Sequence, residues 1–349
     1  MFPLKGVVVL DISRLLPGGY ASLLLREMGA RVIKIEQPGV GDYYRALFKG
    51  RDLLGGRQVF VINEGKESLG LDLKSREGRE IFLKLVRKAD VVVESFRPGV
   101  LKKLRLDYSR LKKINPRIIL CSITGAGQKG PDSHLAGHDL NYLGLSGLLS
   151  KIQDQDGRVV VPDFQVVDLA SGLETHSRIA AALYQRQKTK KGCWIDTSLL
   201  EAGRSMAKLY PPRSSGRTFL GGGVTRYGVY ETADCGHVTL AALEGKFWNQ
   251  LCKIVGRPEW TEGEGSLQIR NSGSRQELEQ IFKSRKTSEW TEIGRQNDIC
   301  LFPVEDVREP AQDPEKKAPA LGQHTGKILK SLGMSRKEIE SLKNKGVIT

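Results

Sequence analysis

Short runs rich in β-branched residues alternate with stretches of helical period along the first half of the chain. Val7-Val8-Val9-Leu10-Asp11 reads as a buried strand. The loop Ser13-Arg14-Leu15-Leu16 leads from it into a helix over Ala21 to Met28. Pro17 stands where a first helical residue is tolerated, because a helix start leaves its own N–H groups unpaired anyway. Gly29 supplies the stop. Arg31 to Glu36 is the next strand, and a helix follows from Ser75 to Lys88, with Ile81, Phe82, Leu85 and Val86 on one face. Val91-Val92-Val93 and Ile118-Ile119-Leu120 are further buried-strand candidates. Strands alternating with helices predict an α/β fold, a parallel sheet covered on both faces.

The middle of the chain reads differently. Leu169 to Arg186 carries the pattern of one long helix, and Cys193 to Thr197 that of another strand. Tyr227 to Ala242 predicts a hairpin turning at Ala233-Asp234-Cys235-Gly236. Amphipathic stretches follow at Phe247–Val255, Glu277–Phe282 and Trp290–Arg295. The expected organisation is a Rossmann-like large domain over 1–204, a smaller α+β domain over 205–305, and a C-terminal segment over 306–349. That last segment carries short lysine-rich helices that return to the large domain. Pro211-Pro212 and Gly221-Gly222-Gly223 mark an irregular entrance to the second domain.

Composition narrows the function classes without naming one. With 349 residues, 39% hydrophobic and 27% charged, the chain can bury a full core. No apolar run approaches the ~18 residues needed to span a bilayer. The N-terminus has neither a signal peptide nor a transit segment, and Gly346-Val347-Ile348-Thr349 is not a peroxisomal address, so the cytoplasm is the expected compartment. Five scattered cysteines show no metal-binding spacing and fit reduced thiols. The 55 basic residues outnumber 40 acidic ones, giving a net charge of +15. They are spread among acids along helical faces with no basic-aromatic motif. A nucleic-acid partner is therefore not expected, whereas a polyanionic small molecule is compatible.

The candidate chemistry is dispersed. The first strand-to-helix connection, Leu16-Pro17-Gly18-Gly19, lacks GxGxxG, which disfavours a nicotinamide or flavin cofactor; it serves as a plain turn or as a binding loop. Gly137-His138-Asp139-Leu140-Asn141-Tyr142 follows the glycine-rich loop Gly125 to Pro131. An imidazole there suits proton transfer near neutral pH, although a loop histidine is more often a surface or capping residue. Asp168 lies between an apolar run and a helix, the place of an N-cap, and Glu244 likewise follows a strand and opens a helix. No GxSxG elbow, P-loop or HExxH is present. These residues alone leave several enzyme classes open.

Taken together, the segments resemble the family III CoA-transferases, the CaiB/BaiF family, and within it the α-methylacyl-CoA racemases. The similarity runs from Leu4 to Asp11 and Gly29 to Glu36, through Ser68-Leu69-Gly70-Leu71-Asp72-Leu73-Lys74 and Ser95-Phe96-Arg97-Pro98-Gly99-Val100, to Pro319-Ala320-Leu321-Gly322-Gln323-His324-Thr325. The racemases carry the Gly137–Tyr142 sextet almost letter for letter. The resemblance implies an acyl-CoA racemase or epimerase that inverts a 2-methyl centre, with His138 and Asp168 exchanging a proton through an enolate. Glu244 would tune the histidine, and N–H groups at the helix beginning near Asp168 would hold the enolate oxygen.

The resemblance also implies coenzyme contacts at Gln37, Gly70, Leu71, Asp72, Leu73, Arg97, Gly137, Asp139, Leu140, Asn141 and Tyr142. It implies no metal and no cofactor beyond the coenzyme A of the substrate, and an interlocked homodimer. Its alternatives are a CoA-transferase using Asp168 as nucleophile through acyl-anhydride and thioester intermediates, and a non-catalytic CoA-binding subunit. Three departures stand out. Gln37 replaces an arginine that contacts the coenzyme, and Glu64 and Glu67 stand where arginines are usual. Asp313-Pro314 runs almost directly into Pro319-Ala320, so a stretch present in relatives is missing.

Overall fold

The computed structural model describes residues 2–47, 61–154, 156–212, 219–261, 272–307 and 317–349. The shortened stretch after Asp313 lies outside them. The described chain forms two compact units: one made of Met1–Leu149, Val161–Tyr210 and Gln312–Thr349, the other of Ser150–Val160 and Pro211–Ala311.

Six parallel strands build the first unit: β1 (Val8–Asp11), β2 (Arg31–Glu36), β3 (Glu67–Gly70), β4 (Val91–Glu94), β5 (Ile119–Thr124) and β6 (Trp194–Ser198). Their spatial order is β3-β2-β1-β4-β5-β6, a Rossmann-like arrangement. The chain moves outward from β1 in one direction, then resumes at β4 on the other side. Two connections therefore diverge between β1 and β4 and leave a crevice at the strands' C-terminal ends. Val91, Val92 and Val93 are fully buried, as a central parallel strand covered on both faces requires. Leu10, Ile33, Leu69, Phe82, Val92 and Leu120 share one core with Ile328 and Leu329 of the C-terminal segment.

The predicted helix beyond Ser75 runs over Arg76–Val86, with the Ser75 hydroxyl accepting from the Gly78 N–H. The long helix is Val166–Thr189, three residues longer at each end than the apolar pattern suggests, so Asp168 lies inside its first turn. Its Gly172 faces the helix Leu15–Glu27, where a Cβ would come within 3.0 Å of the Pro17 carbonyl oxygen and Tyr20. Near its far end Arg186 is bonded to Asp90 at 2.8 Å, fastening it to the sheet. Pro17, Gly18 and Gly19 are not a turn. They lie within the helix Leu15–Glu27, and a Cβ on Gly18 would collide with the Ser13 side chain at 2.2 Å.

The C-terminal helices Thr325–Ser331 and Arg336–Asn344 belong to this unit. The chain then passes beside β3, where the Asp72 N–H donates to the Val347 carbonyl at 2.9 Å. In the second unit β7 (Tyr227–Glu231) and β8 (His237–Ala241) form the expected hairpin, joined by β9 (Leu301–Pro303). The helices Gly245–Ile254, Ser272–Phe282 and Thr287–Asn297 cover a core of Tyr230, Trp248, Phe282 and Trp290. Among the described residues no helix is long and apolar enough to cross a membrane.

Candidate active site

The crevice predicted by the strand order is present, with a cavity volume of about 550 Å³. Five of the residues expected to bind the coenzyme line it: Gln37 beyond β2, Leu71, Asp72 and Leu73 beyond β3, and Arg97 beyond β4. Gly70 ends β3 against the chain terminus, where a Cβ would meet the Thr349 hydroxyl at 2.3 Å. Arg14, in the connection between β1 and the first helix, also lines the crevice. Its guanidinium lies over the rings of Tyr43 at 4.7 Å and Phe96 at 5.5 Å, and it donates to the Tyr43 hydroxyl. An arginine held between two aromatic faces keeps its charge while losing little freedom on meeting an anion. Lys74 adds a third cation to the lining, beside Arg14 and Arg97. Glu67 pairs with Arg31 at 2.6 Å at the opposite end of β3, so that acid does not face the crevice.

Beneath the crevice is a cluster of charges withdrawn from water. Asp11, Lys34, Asp42 and Lys66 are at most 2% exposed. The Lys34 ammonium sits 3.4 Å from Asp11 and 3.3 Å from Asp42, and that of Lys66 3.3 Å from Asp11. Both lysines also donate to backbone of the first connection, Lys34 to the Ser13 carbonyl at 2.7 Å and Lys66 to that of Gly19 at 2.9 Å. Burial alone would raise the Asp11 pKa, but Lys34, Lys66 and the Ser13 and Ser22 hydroxyls bring it down to about 2. Burial pulls Lys66 down to about 8 against the opposing pull of Asp11. The Asp42 carboxylate accepts from the Leu15 N–H at 3.2 Å, and Leu15 carries a positive φ of 63°, a conformation a leucine takes only when its surroundings hold it there. The charge cluster thus fixes the backbone that forms one wall of the crevice.

The histidine and the aspartate occupy two helix starts. His138 is exposed and precedes the helix Asp139–Leu145, and its N–H donates to the Asn141 side-chain oxygen at 3.0 Å. Asp168 stands in the first turn of Val166–Thr189. Between them lies Asp139, 7% exposed, whose Oδ1 accepts from the Val167 N–H at 2.7 Å and the Asp168 N–H at 2.9 Å. Gln165, the residue before that helix, makes no side-chain cap, so Asp139 caps it from 28 positions away. Burial, and then the Asp139 charge, push the Asp168 carboxyl up to about 7.

This arrangement corrects two expectations. Asp168 is not the helix cap, because it lies inside the helix and the cap belongs to Asp139. The Val167 and Asp168 N–H groups do not await an enolate oxygen, because Asp139 already occupies them. Tyr142 is buried and donates to the Leu135 carbonyl at 3.0 Å, while Leu140 is 40% exposed. Gly137 sits where a Cβ would be 3.1 Å from the Tyr142 ring.

Glu244, in the second unit, is the exposed residue that opens Gly245–Ile254, and its side chain makes no cap bond. The structure also reveals Glu94, which ends the buried run Val91-Val92-Val93 and is 2% exposed. Burial raises it to about 7, with Asp196 adding to the rise and bonds from Ser122 and the Phe96 N–H opposing it. Its only signal in the sequence is an acid at the end of an otherwise apolar strand.

The sequence profile described as CoA-transferase family III matches residues 4–328. The chain belongs to CoA-transferase family III. Within it, the chain is 30% identical to the human (Homo sapiens) alpha-methylacyl-CoA racemase, covering 99% of this chain and 97% of that protein. That alignment spans 395 positions, longer than the chain itself, so the relative carries stretches absent here. The chain is also 34% identical to the succinyl-CoA:glutarate CoA-transferase of Mus musculus, over 86% of this chain and 70% of that protein. A crystal structure of a CaiB/BaiF family protein from Brucella suis superposes with a TM-score of 0.80 at 26% identity, over 95% of this chain and 99% of that one. The CoA-transferase family III assignment and the Rossmann-like crevice agree, and acyl-CoA is a substrate consistent with both.

Proposed function

We propose that this chain is an acyl-CoA racemase or epimerase that inverts a 2-methyl centre by two-base proton transfer. The observation that carries the reading is Asp168. It is a carboxyl held near pKa 7 on the first turn of Val166–Thr189, and its N–H is bonded to Asp139, the residue beside His138. A group that titrates at the working pH takes and returns a proton with comparable ease, which is what a reaction reversing its own step requires. The thioester acidifies the α-carbon, one group removes its proton, and the other returns one to the opposite face of the planar enolate. The coenzyme portion is assigned to the crevice, where Arg14, Lys74 and Arg97 supply positive charge to its phosphates despite the neutral Gln37. A homodimer is part of the proposal. Val161, Phe164, Tyr184 and Leu209 expose between 62% and 73% of their surface, apolar side chains that a second copy would cover.

The test is chiral analysis of a single-epimer 2-methylacyl-CoA after incubation with the protein alone. Racemisation without a carboxylate acceptor supports the reading. Retention of configuration, with CoA moved onto an added carboxylate, overturns it. That second outcome is the reading favoured by the 34% identity to a CoA-transferase, in which Asp168 attacks the thioester. Borohydride trapping of an Asp168-linked thioester would identify it.

A further inference from the structure

Resemblance assigns Asp139 to coenzyme contact, yet its carboxylate is committed elsewhere. One oxygen accepts two backbone N–H bonds at the start of Val166–Thr189, and the residue is 7% exposed. We propose that Asp139 is a positioning residue for Asp168: it fixes the turn that carries the Asp168 side chain and occupies the N–H groups that would otherwise hydrogen-bond to that side chain. The inference rests on the proposed role of Asp168 and deepens it.

A carboxylate in a first turn is ordinarily favoured by the exposed N–H groups and the positive end of the helix, which lowers its pKa. Here the second and third N–H groups of the helix are spoken for by Asp139, and its negative charge opposes a second one close by. Among the described residues, the groups around Asp168 bring no counter-charge to lower its pKa. From the helix Tyr43–Leu47 comes Tyr44, whose hydroxyl bonds with Gln165 and is itself pushed up to about 12 by burial and by the neighbouring Asp168 and Asp42. From Leu15–Glu27 comes Tyr20, packed with Leu169 and Tyr44. The helix Leu199–Ala207 presents Gly203 to Val167, while its Glu201 and Arg204 pair with each other in exposed positions. His138 heads the helix on which Asp139 sits. Asp168 thereby titrates near pH 7, with its protonated and ionised forms both populated, as a group that must donate as well as accept requires.

Two variants separate charge from geometry. In Asp139→Asn the side-chain oxygen still accepts both N–H bonds, so the turn stays in place and only the charge is lost. In Asp139→Ala the N–H groups are released to Asp168 itself. The readout is the titration of the Asp168 side-chain carbon by NMR in protein carrying 13Cγ-aspartate, assigned by its loss in Asp168→Asn.

The Asp168 midpoint should fall by about one unit in Asp139→Asn and further in Asp139→Ala. The dissociation constant for free coenzyme A should change less than about threefold, well under the tenfold that losing 1.4 kcal/mol of binding would give. An Asp168 midpoint that stays in place in Asp139→Asn overturns the inference, as does a tenfold loss of coenzyme affinity. Both measurements proceed without turnover, so they stand or fall independently of whether the protein racemises any thioester.

Discussion

Replacing Asp168 by asparagine removes one charge and almost no volume, and the structure gives the direction of the stability change. The carboxyl rises from an ordinary 3.8 to about 7 in the folded protein, through burial and the Asp139 charge. A folded-state pKa above the unfolded one means that the native state holds a proton which the unfolded chain has released. Stability is then fully present below about pH 4 and declines as pH rises through about 7. A displacement of roughly three units corresponds to at most ~4 kcal/mol at 1.36 kcal/mol per unit. Because Asp168 keeps partial contact with water, screening reduces this to ~1–3 kcal/mol. Asparagine escapes that decline, and no cap is lost, since Asp139 supplies it. Urea unfolding at pH 5 and pH 8 should show Asp168→Asn more stable than the parent at pH 8, with unchanged slope and a gap that narrows toward pH 5. Equal midpoints at pH 8, or a gap that ignores pH, would refute the claim that this carboxyl is held against its charge.

Other positions yield sharper contrasts. Glu94→Gln should likewise gain stability above pH 7, because burial raises that carboxyl to about 7 and the glutamine has no charge to bury; identical unfolding curves at pH 6 and pH 9 would contradict this. Lys34→Met leaves Asp11 and Asp42 short of a buried counter-charge and should destabilise by ~3–5 kcal/mol in urea unfolding, whereas a loss under ~1 kcal/mol would show the cluster to be relaxed or hydrated. Arg14→Ala should weaken coenzyme A binding by ~5- to 30-fold in calorimetry, with a reduced salt dependence, if that guanidinium meets phosphate.

Much of the fold is legible because burial writes itself into periodicity. The strand Arg31–Glu36 and the helix Arg76–Val86 follow the residue pattern closely, since apolar runs and a Ser75 cap leave little choice. Short elements defeat that logic. β9 is three residues long and exists through its pairing with β8, which a local pattern cannot register. The first connection misleads for a different reason. Pro17-Gly18-Gly19 has turn composition, but the glycines serve close approach to Ser13 and Ile62 inside a helix.

At the candidate site, family resemblance points to His138, Asp168 and the crevice residues, while the contacts around them join positions distant in sequence. Asp139 looks like one more polar residue in a sextet until the helix that begins 27 positions later is seen resting on it. Arg14 reads as a loop arginine until Tyr43 and Phe96 close over it. Lys34 interrupts an apolar strand, and nothing local says that Asp42 is its second partner.

Inversion exchanges a proton at carbon, and proton NMR in deuterium oxide follows that atom. A 2-methylacyl-CoA thioester incubated with the protein and no carboxylate acceptor should lose its α-proton signal, and its methyl doublet should collapse as deuterium enters. His138→Ala and Asp168→Asn should each slow inversion by ~10²–10⁴-fold, and each should retain α-exchange only for the epimer that the remaining base deprotonates. An α-proton that survives prolonged incubation with a panel of such thioesters, or inversion as fast in both variants as in the parent, would contradict the account.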